Sequence, residues 1–285
     1  MSRETIATGA TGRSSPGRAA RAIGTLTWAS WRASLTYRTR TALSLVSLLA
    51  TVVPIYFLAN ALQSTMADVI RTEGGQYFGF LVVGMMTFSF MGTAVNRLPS
   101  VVSSGIGNGT LEALFSTPPA FPTLLAGMSG YGFAWTAAKS ALFLAAAWLL
   151  GANFAWSQAP EAALILGLIV LAHLPFGILA SAAVLAFRTS GPVGSLIMAA
   201  SGLLGGVYYP TRVIPDWIEP ISHALPVTYG LRALRKVLLE QQPFSAVTGD
   251  VAVLALFAAG LLALSLLAFR VAFGYARRSG TLAQY

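Results

Sequence analysis

The 285-residue chain is 55% hydrophobic and 9% charged, with a mean hydropathy of +0.70 and a formal charge of +9. Soluble domains carry about 25% charged residues, so this composition excludes an ordinary soluble domain and describes a multi-pass membrane protein. No cysteine is present, which excludes disulfides and thiolate chemistry, and basic residues that flank apolar runs read as membrane topology and anionic lipid, not nucleic acid.

Residues 1–20, MSRETIATGATGRSSPGRAA, hold no apolar core of a signal peptide and predict a disordered basic tail. A single membrane domain follows over 21–278, with a short tail at 279–285. It begins with Ala22 to Arg40, where Trp28, Trp31 and Leu35 share one arc of a helix and Arg32 lies near its edge. That pattern predicts an interfacial helix with aromatics in the headgroup layer. Ile23 and Leu26 fall on another face, which keeps a plain juxtamembrane linker as the alternative.

A helix needs roughly 20 apolar residues to cross a bilayer, and six spans can be drawn at about 41–62, 78–96, 121–150, 162–187, 193–207 and 251–273. Between the second and third lies GNGTLEALFSTP, Gly107 to Pro118. Gly107 and Gly109 break the incoming helix, Asn108 or Thr110 caps a new one, and Glu112 suits its first turn. Leu111, Leu114 and Phe115 form one apolar stripe before Thr117 and Pro118 end it. So short a helix needs a surface to pack on: either its own membrane domain or a soluble partner.

The third span carries Lys139. A charge at the bilayer centre costs about 2.5–3.5 kcal/mol on insertion scales, so Lys139 faces a substrate path, pairs with an acid, or snorkels to the interface. His173 in the fourth span stands beside Pro175 and is expected to bond carbonyls freed by the proline kink. A proton relay needs acids along the path, and the spans offer almost none.

The segment before the last span is different in kind. Pro210, Pro215, Pro220 and Pro226 forbid one continuous helix, while Tyr208, Tyr209, Trp217 and Tyr229 suit a wet interface. It predicts re-entrant or interfacial pieces on the outer side, with an ordinary external loop as the alternative; His223 within it is structural or solvated. With both termini inside, twelve arginines (3, 13, 18, 21, 32, 38, 40, 97, 188, 270, 277 and 278) face the cytoplasm against five basic residues outside. Arg212, Arg232, Arg235 and Lys236 in the proline-rich segment are the local dissent from that rule.

No enzyme constellation is present, and neither lysine, Lys139 or Lys236, follows a glycine. A P-loop requires Gly-Lys-Ser/Thr, so any ATP that powers this chain is bound by a partner.

The phrase Gly109-Thr110-Leu111-Glu112 with Thr117-Pro118 resembles the segment after the second span in type-2 ABC exporter permeases. The glycine-rich fifth span, the proline-broken external segment and Leu225-Pro226-Val227-Thr228-Tyr229 resemble that family's ending, in the right order over about Ala22 to Arg278. The resemblance implies an all-α membrane fold of six transmembrane helices, with an interfacial amino-terminal helix, a short cytoplasmic coupling helix and a re-entrant external segment. It implies that Gly109 to Pro118 seats on a separate ATPase subunit, present in two copies, which carries the ATP and Mg; this chain carries no cofactor or metal. It further implies a second permease half, identical or related, and a place in the bacterial inner membrane with both termini cytoplasmic. The substrate path would be lined by the first, second and fifth spans, and its apolar character favours an amphipathic or lipid-like cargo such as a drug, a lipid or a lipid-linked glycan. Gly107-Asn108 departs from the family, which commonly places a charge there. A channel or secondary carrier not coupled to ATP is the other reading.

Overall fold

The computed structural model describes residues 24, 38–109, 121–187 and 192–278. Five of its helices are long and apolar enough to cross a membrane. They are α1 (Arg38–Met66), α2 (Tyr77–Gly107), α3 (Phe121–Leu149), α4 (Ala159–Phe187) and, last in the chain, α8 (Thr248–Arg278). The fifth expected span is the 12-residue α5, Val193–Leu204. At about 1.5 Å per residue it reaches roughly 18 Å, short of a hydrocarbon core about 30 Å thick. It stops because Gly205 and Gly206 follow, the latter at φ 84°, where residues with a side chain are strained. Two short helices of the proline-rich segment, α6 (Glu219–His223) and α7 (Pro226–Leu238), complete the set. Among the described residues there is no β-strand.

α2 is the central element. It packs against α1 and α3 on one side and against α4, α5 and α7 on the other, while α8 lies on α4 and α7. Two apolar cores therefore share one helix. Phe78, Phe80 and Leu81 of α2 meet Val52 and Ala59 of α1 and Phe143 and Ala147 of α3. Val83, Met86 and Met91 meet Ile165 and Ile169 of α4, Leu231 and Leu234 of α7, and Leu254 of α8. Outward from these cores, Leu43, Val46 and Phe57 of α1 and Leu256, Leu264 and Val271 of α8 are exposed. Large apolar side chains on the outer faces of transmembrane helices suit contact with lipid.

α2 runs past the expected end at Asn96, through Pro99, to Gly107. Asn108 caps it and Gly109 leaves it at φ 65°, so the glycine break expected at this point is present. Trp28, Trp31, Arg32 and Leu35, and Thr110 to Pro118 of the short segment expected to couple to an ATPase, lie outside the described residues, as do the tails 1–20 and 279–285.

Candidate functional site

At the end of the bundle that carries the proline-rich segment, the helices are tied together by one buried arginine. α7 begins at Pro226 with its fixed φ, and it turns Leu231, Leu234, Arg235 and Leu238 into the protein. The guanidinium of Arg235 has almost no exposure. Its Nη1 donates to the carbonyl of Gly206 at 2.8 Å and to Glu73 Oε2 at 3.3 Å. Its Nη2 donates to the carbonyls of Val207 at 3.2 Å and Phe80 at 3.3 Å, and the Phe80 ring lies 3.3 Å from Cζ. Burial pushes the Arg235 pKa down to about 10 against the opposing pull of Glu73, so it stays charged at neutral pH. A planar fork with five donors is the side chain that can serve three carbonyls and a carboxylate at once. One residue of α7 thus holds the α1–α2 connection, the outer end of α2 and the turn after α5.

The other basic residues of this region are also partnered. Arg232 and Lys236 flank Asp250 at 3.4 Å and 3.3 Å, and Arg212 donates to Thr72 Oγ1 at 2.9 Å. The basic cluster that departs from the charge rule is therefore a set of structural contacts. The Asp250 pairs are partly solvated, and such pairs contribute about 1 kcal/mol or less. Asp250→Asn is expected to cost that much in thermal unfolding in detergent, and the difference is expected to shrink in high salt. A loss above about 3 kcal/mol would instead mark a desolvated pair.

Each proline of the outer segment bounds or opens a piece, as the sequence predicts. Pro210 precedes a 3-10 turn at Thr211–Val213, the Pro215 carbonyl closes a turn onto Ile218 and Glu219, Pro220 opens α6 and Pro226 opens α7. The aromatics brace these pieces. Tyr77 Oη donates to the Tyr208 carbonyl at 3.1 Å, Tyr209 Oη donates to the Leu203 carbonyl, and Tyr229 Oη donates to the His223 carbonyl at 3.1 Å. Trp217 projects furthest, 81% exposed.

Deeper in the bundle, polar side chains of α1, α2 and α3 line two adjoining cavities. A cavity of about 510 Å³ lies between α2 and α3, walled by Ser89, Thr93, Asn96, Arg97, Tyr131, Trp135, Thr136 and Lys139. A smaller one of about 180 Å³ reaches Ser47 and Thr51 of α1. Ser89, Thr136 and Lys139 line both. Thr93 Oγ1 donates to the Ser89 carbonyl at 3.0 Å, so in its 2.8 Å contact with Thr136 the latter hydroxyl is the donor. Among the described residues Lys139 makes no ion pair. It lines both cavities, whose other walls come from α2 and α3 and, for the smaller, α1.

Residues 21–239 match the family described as ABC-2 type transporter. The chain belongs to that family. It is 25% identical over 196 residues to nodulation protein J of Sinorhizobium fredii, covering 67% of this chain and 73% of the relative. It is 26% identical over 175 residues to nodulation protein J of Bradyrhizobium diazoefficiens, covering 60% of this chain and 65% of that protein. A linearmycin resistance permease protein of Bacillus subtilis is 25% identical over 129 residues, 45% of this chain and 33% of the relative. ABC-2 permeases are the membrane component of ABC transporters and work with a separate ATP-binding subunit.

Two features of this ABC-2 permease differ from, or were missed by, the reading of its sequence. His173 is fully buried, and its Nδ1 donates at 2.7 Å to the carbonyl of Ile169, one turn back. That carbonyl is not the one Pro175 frees, which belongs to Leu171; the ring packs beside Phe176 and reaches backwards along its own helix. The Arg235–Glu73 pair was not anticipated at all. Its only trace in sequence was that Arg235 sat on the wrong side of the charge count.

Proposed function

We propose that this ABC-2 permease is the transmembrane subunit of an ATP-driven exporter that moves an amphipathic or lipid-like substrate outward. Two permease halves, identical or related, sit over two copies of an ATPase subunit that binds ATP and Mg. The chain lies in the bacterial inner membrane with both termini cytoplasmic. In this reading α5 makes the fifth crossing together with its flanking residues, and the pieces from Thr211 to Leu238 sit at the outer leaflet. The amino-terminal segment with Trp28, Trp31, Arg32 and Leu35 lies along the inner surface.

The family match over 21–239 carries this reading, because those residues include both the cytoplasmic segment after α2 and the whole outer segment. Two further observations support it. Neither lysine follows glycine, so these 285 residues do not supply the phosphate-binding lysine of a P-loop, in keeping with a separate ATPase subunit. The name of the Bacillus subtilis relative, a linearmycin resistance permease, fits a drug-like cargo.

The test is affinity purification of the tagged chain in mild detergent, with mass spectrometry of what accompanies it. A stoichiometric subunit bearing a Walker motif is expected, and Phe115→Asp is expected to release it, or to uncouple its hydrolysis from transport, while the membrane domain stays folded. A chain that purifies intact and alone in several detergents would overturn the proposal.

A further inference from the structure

The chain that leaves α7 holds a carboxyl in an unfavourable place. Glu240 lies two residues past Leu238, the last of α7, and its amide donates back to the Arg235 carbonyl at 3.3 Å. A helix carboxyl end opposes a negative charge. Gln241 follows in the left-handed region, at φ 56°. Its carbonyl accepts from Gln158 Nε2 at 3.0 Å, while Ala155 N donates to the Leu238 carbonyl at 2.8 Å. The α1–α2 connection passes the same spot, since a Cβ on Gly74 would lie 2.6 Å from the Leu239 Cβ.

Acceptors crowd this corner. Glu240 Oε1, Gln158 Oε1 and Glu161 Oε2, the last one helical turn beyond Gln158, are buried and have no hydrogen-bond partner among the described residues. Buried side-chain oxygens are ordinarily paired, and what these three lack is a donor. The cations at this end are turned to other acids. Arg235 bonds Glu73 of the α1–α2 connection, and Lys236 and Arg232 flank Asp250 of α8. Burial raises the Glu240 pKa above the usual carboxylate value; Lys236 pulls it down and Glu73 pushes it further up.

From this arrangement we propose that Glu240 is a proton-operated latch, which fastens the carboxyl end of α7 to the α1–α2 connection when protonated and loosens it when ionised. The neutral carboxyl escapes the repulsion of Glu73 and of the helix end, and it gains an O–H in a corner of acceptors. Folding raises its proton affinity, so its stabilising contribution is present at low pH and is lost as pH rises through the folded-state value. α7 also carries Arg235, which bonds the carbonyls of Gly206 and Val207 after α5, so the latch bears on that turn as well. It stands whether or not the chain is coupled to ATP.

The experiment is hydrogen exchange with mass spectrometry on the full chain in one detergent, from about pH 4, near the ordinary carboxyl value, to about pH 8. Wild type and Glu240→Gln are compared at each pH, which cancels the intrinsic pH dependence of exchange. Peptides over 68–77 and 235–243 are expected to exchange alike at the acid end. At the alkaline end the wild type is expected to exchange about two- to fivefold faster, the range given by a charge at a helix end. Glu73→Gln, read against its own double variant with Glu240→Gln, is expected to show a smaller difference that begins at lower pH. Equal exchange at every pH, or faster exchange in Glu240→Gln than in the wild type, would overturn the inference.

Discussion

Arg235→Met is expected to destabilise the membrane domain by about 3–5 kcal/mol, the cost of breaking a buried ion pair from one side. Methionine fills much of the volume and leaves the carbonyls of Gly206, Val207 and Phe80 without their donors, with Glu73 beside them at 20% exposure. The Phe80 carbonyl keeps its place in the α2 ladder, but each unsatisfied buried acceptor costs about 1–3 kcal/mol, so the Gly206 and Val207 carbonyls together with the unpaired Glu73 account for the size of the effect. Arg235→Lys is expected to be nearly as harmful. An ammonium reaches one or two of these four acceptors and loses the planar stacking on Phe80. Glu73→Gln removes the charge but leaves the carbonyl bonds, and is expected to cost about 1–3 kcal/mol. The double variant with Arg235→Met should fall short of the sum by about 0.5–3 kcal/mol. Thermal unfolding of the four proteins in one detergent reads all of these values. Strict additivity would mean that the bond at 3.3 Å between Arg235 and Glu73 contributes nothing, and that the carbonyls are the whole interaction.

Contrast between Arg235 and Lys139 explains what was legible in the sequence. Lys139 is conspicuous because it is the lone charge in an apolar run, and the run supplies the background against which one residue stands out. Arg235 sits in a segment with Arg232, Lys236, Glu240 and Asp250, where another charge carries no signal. Its carboxylate partner lies 162 positions away, and pairing over that distance leaves no local trace. Helix ends behaved in the same divided way. Prolines placed the outer breaks well, because a missing N–H acts on its own turn. Hydropathy placed the end of α2 at Asn96, yet the helix continues to Gly107. Hydropathy reports where the bilayer stops, and a helix that leaves the bilayer has no reason to stop there too. The shortness of α5 was legible as a glycine-rich run. Its turn at Gly206 was drawn as part of the span, since glycine is common in membrane helices and does not announce a reversal.

Gly84→Ala is expected to disrupt the same outer assembly from the opposite wall. A Cβ on Gly84 would lie 2.1 Å from the carbonyl oxygen of Val207 and 3.1 Å from Nη2 of Arg235. The first of these is backbone, so the turn after α5 has to move by more than 1 Å to reach ordinary contact at about 3.4 Å. Overpacking of this kind costs about 1–3 kcal/mol and occasionally more. Here it also strains the 3.2 Å bond from Arg235 to Val207, which puts the expected loss at the upper end. Gly167→Ala and Gly260→Ala are the controls, because a Cβ at either position meets nothing within 4 Å. They are expected to be neutral or to stabilise by up to about 1 kcal/mol through helix propensity. Gly84→Ala combined with Arg235→Met should cost less than the two separately, since both act on the Val207 carbonyl. A neutral Gly84→Ala would place α2 farther from that turn than the structure has it. The single arginine would then be bridging a gap, and the outer cap would be held by α7 packing on α4 and α8 in place of the close seat against α2.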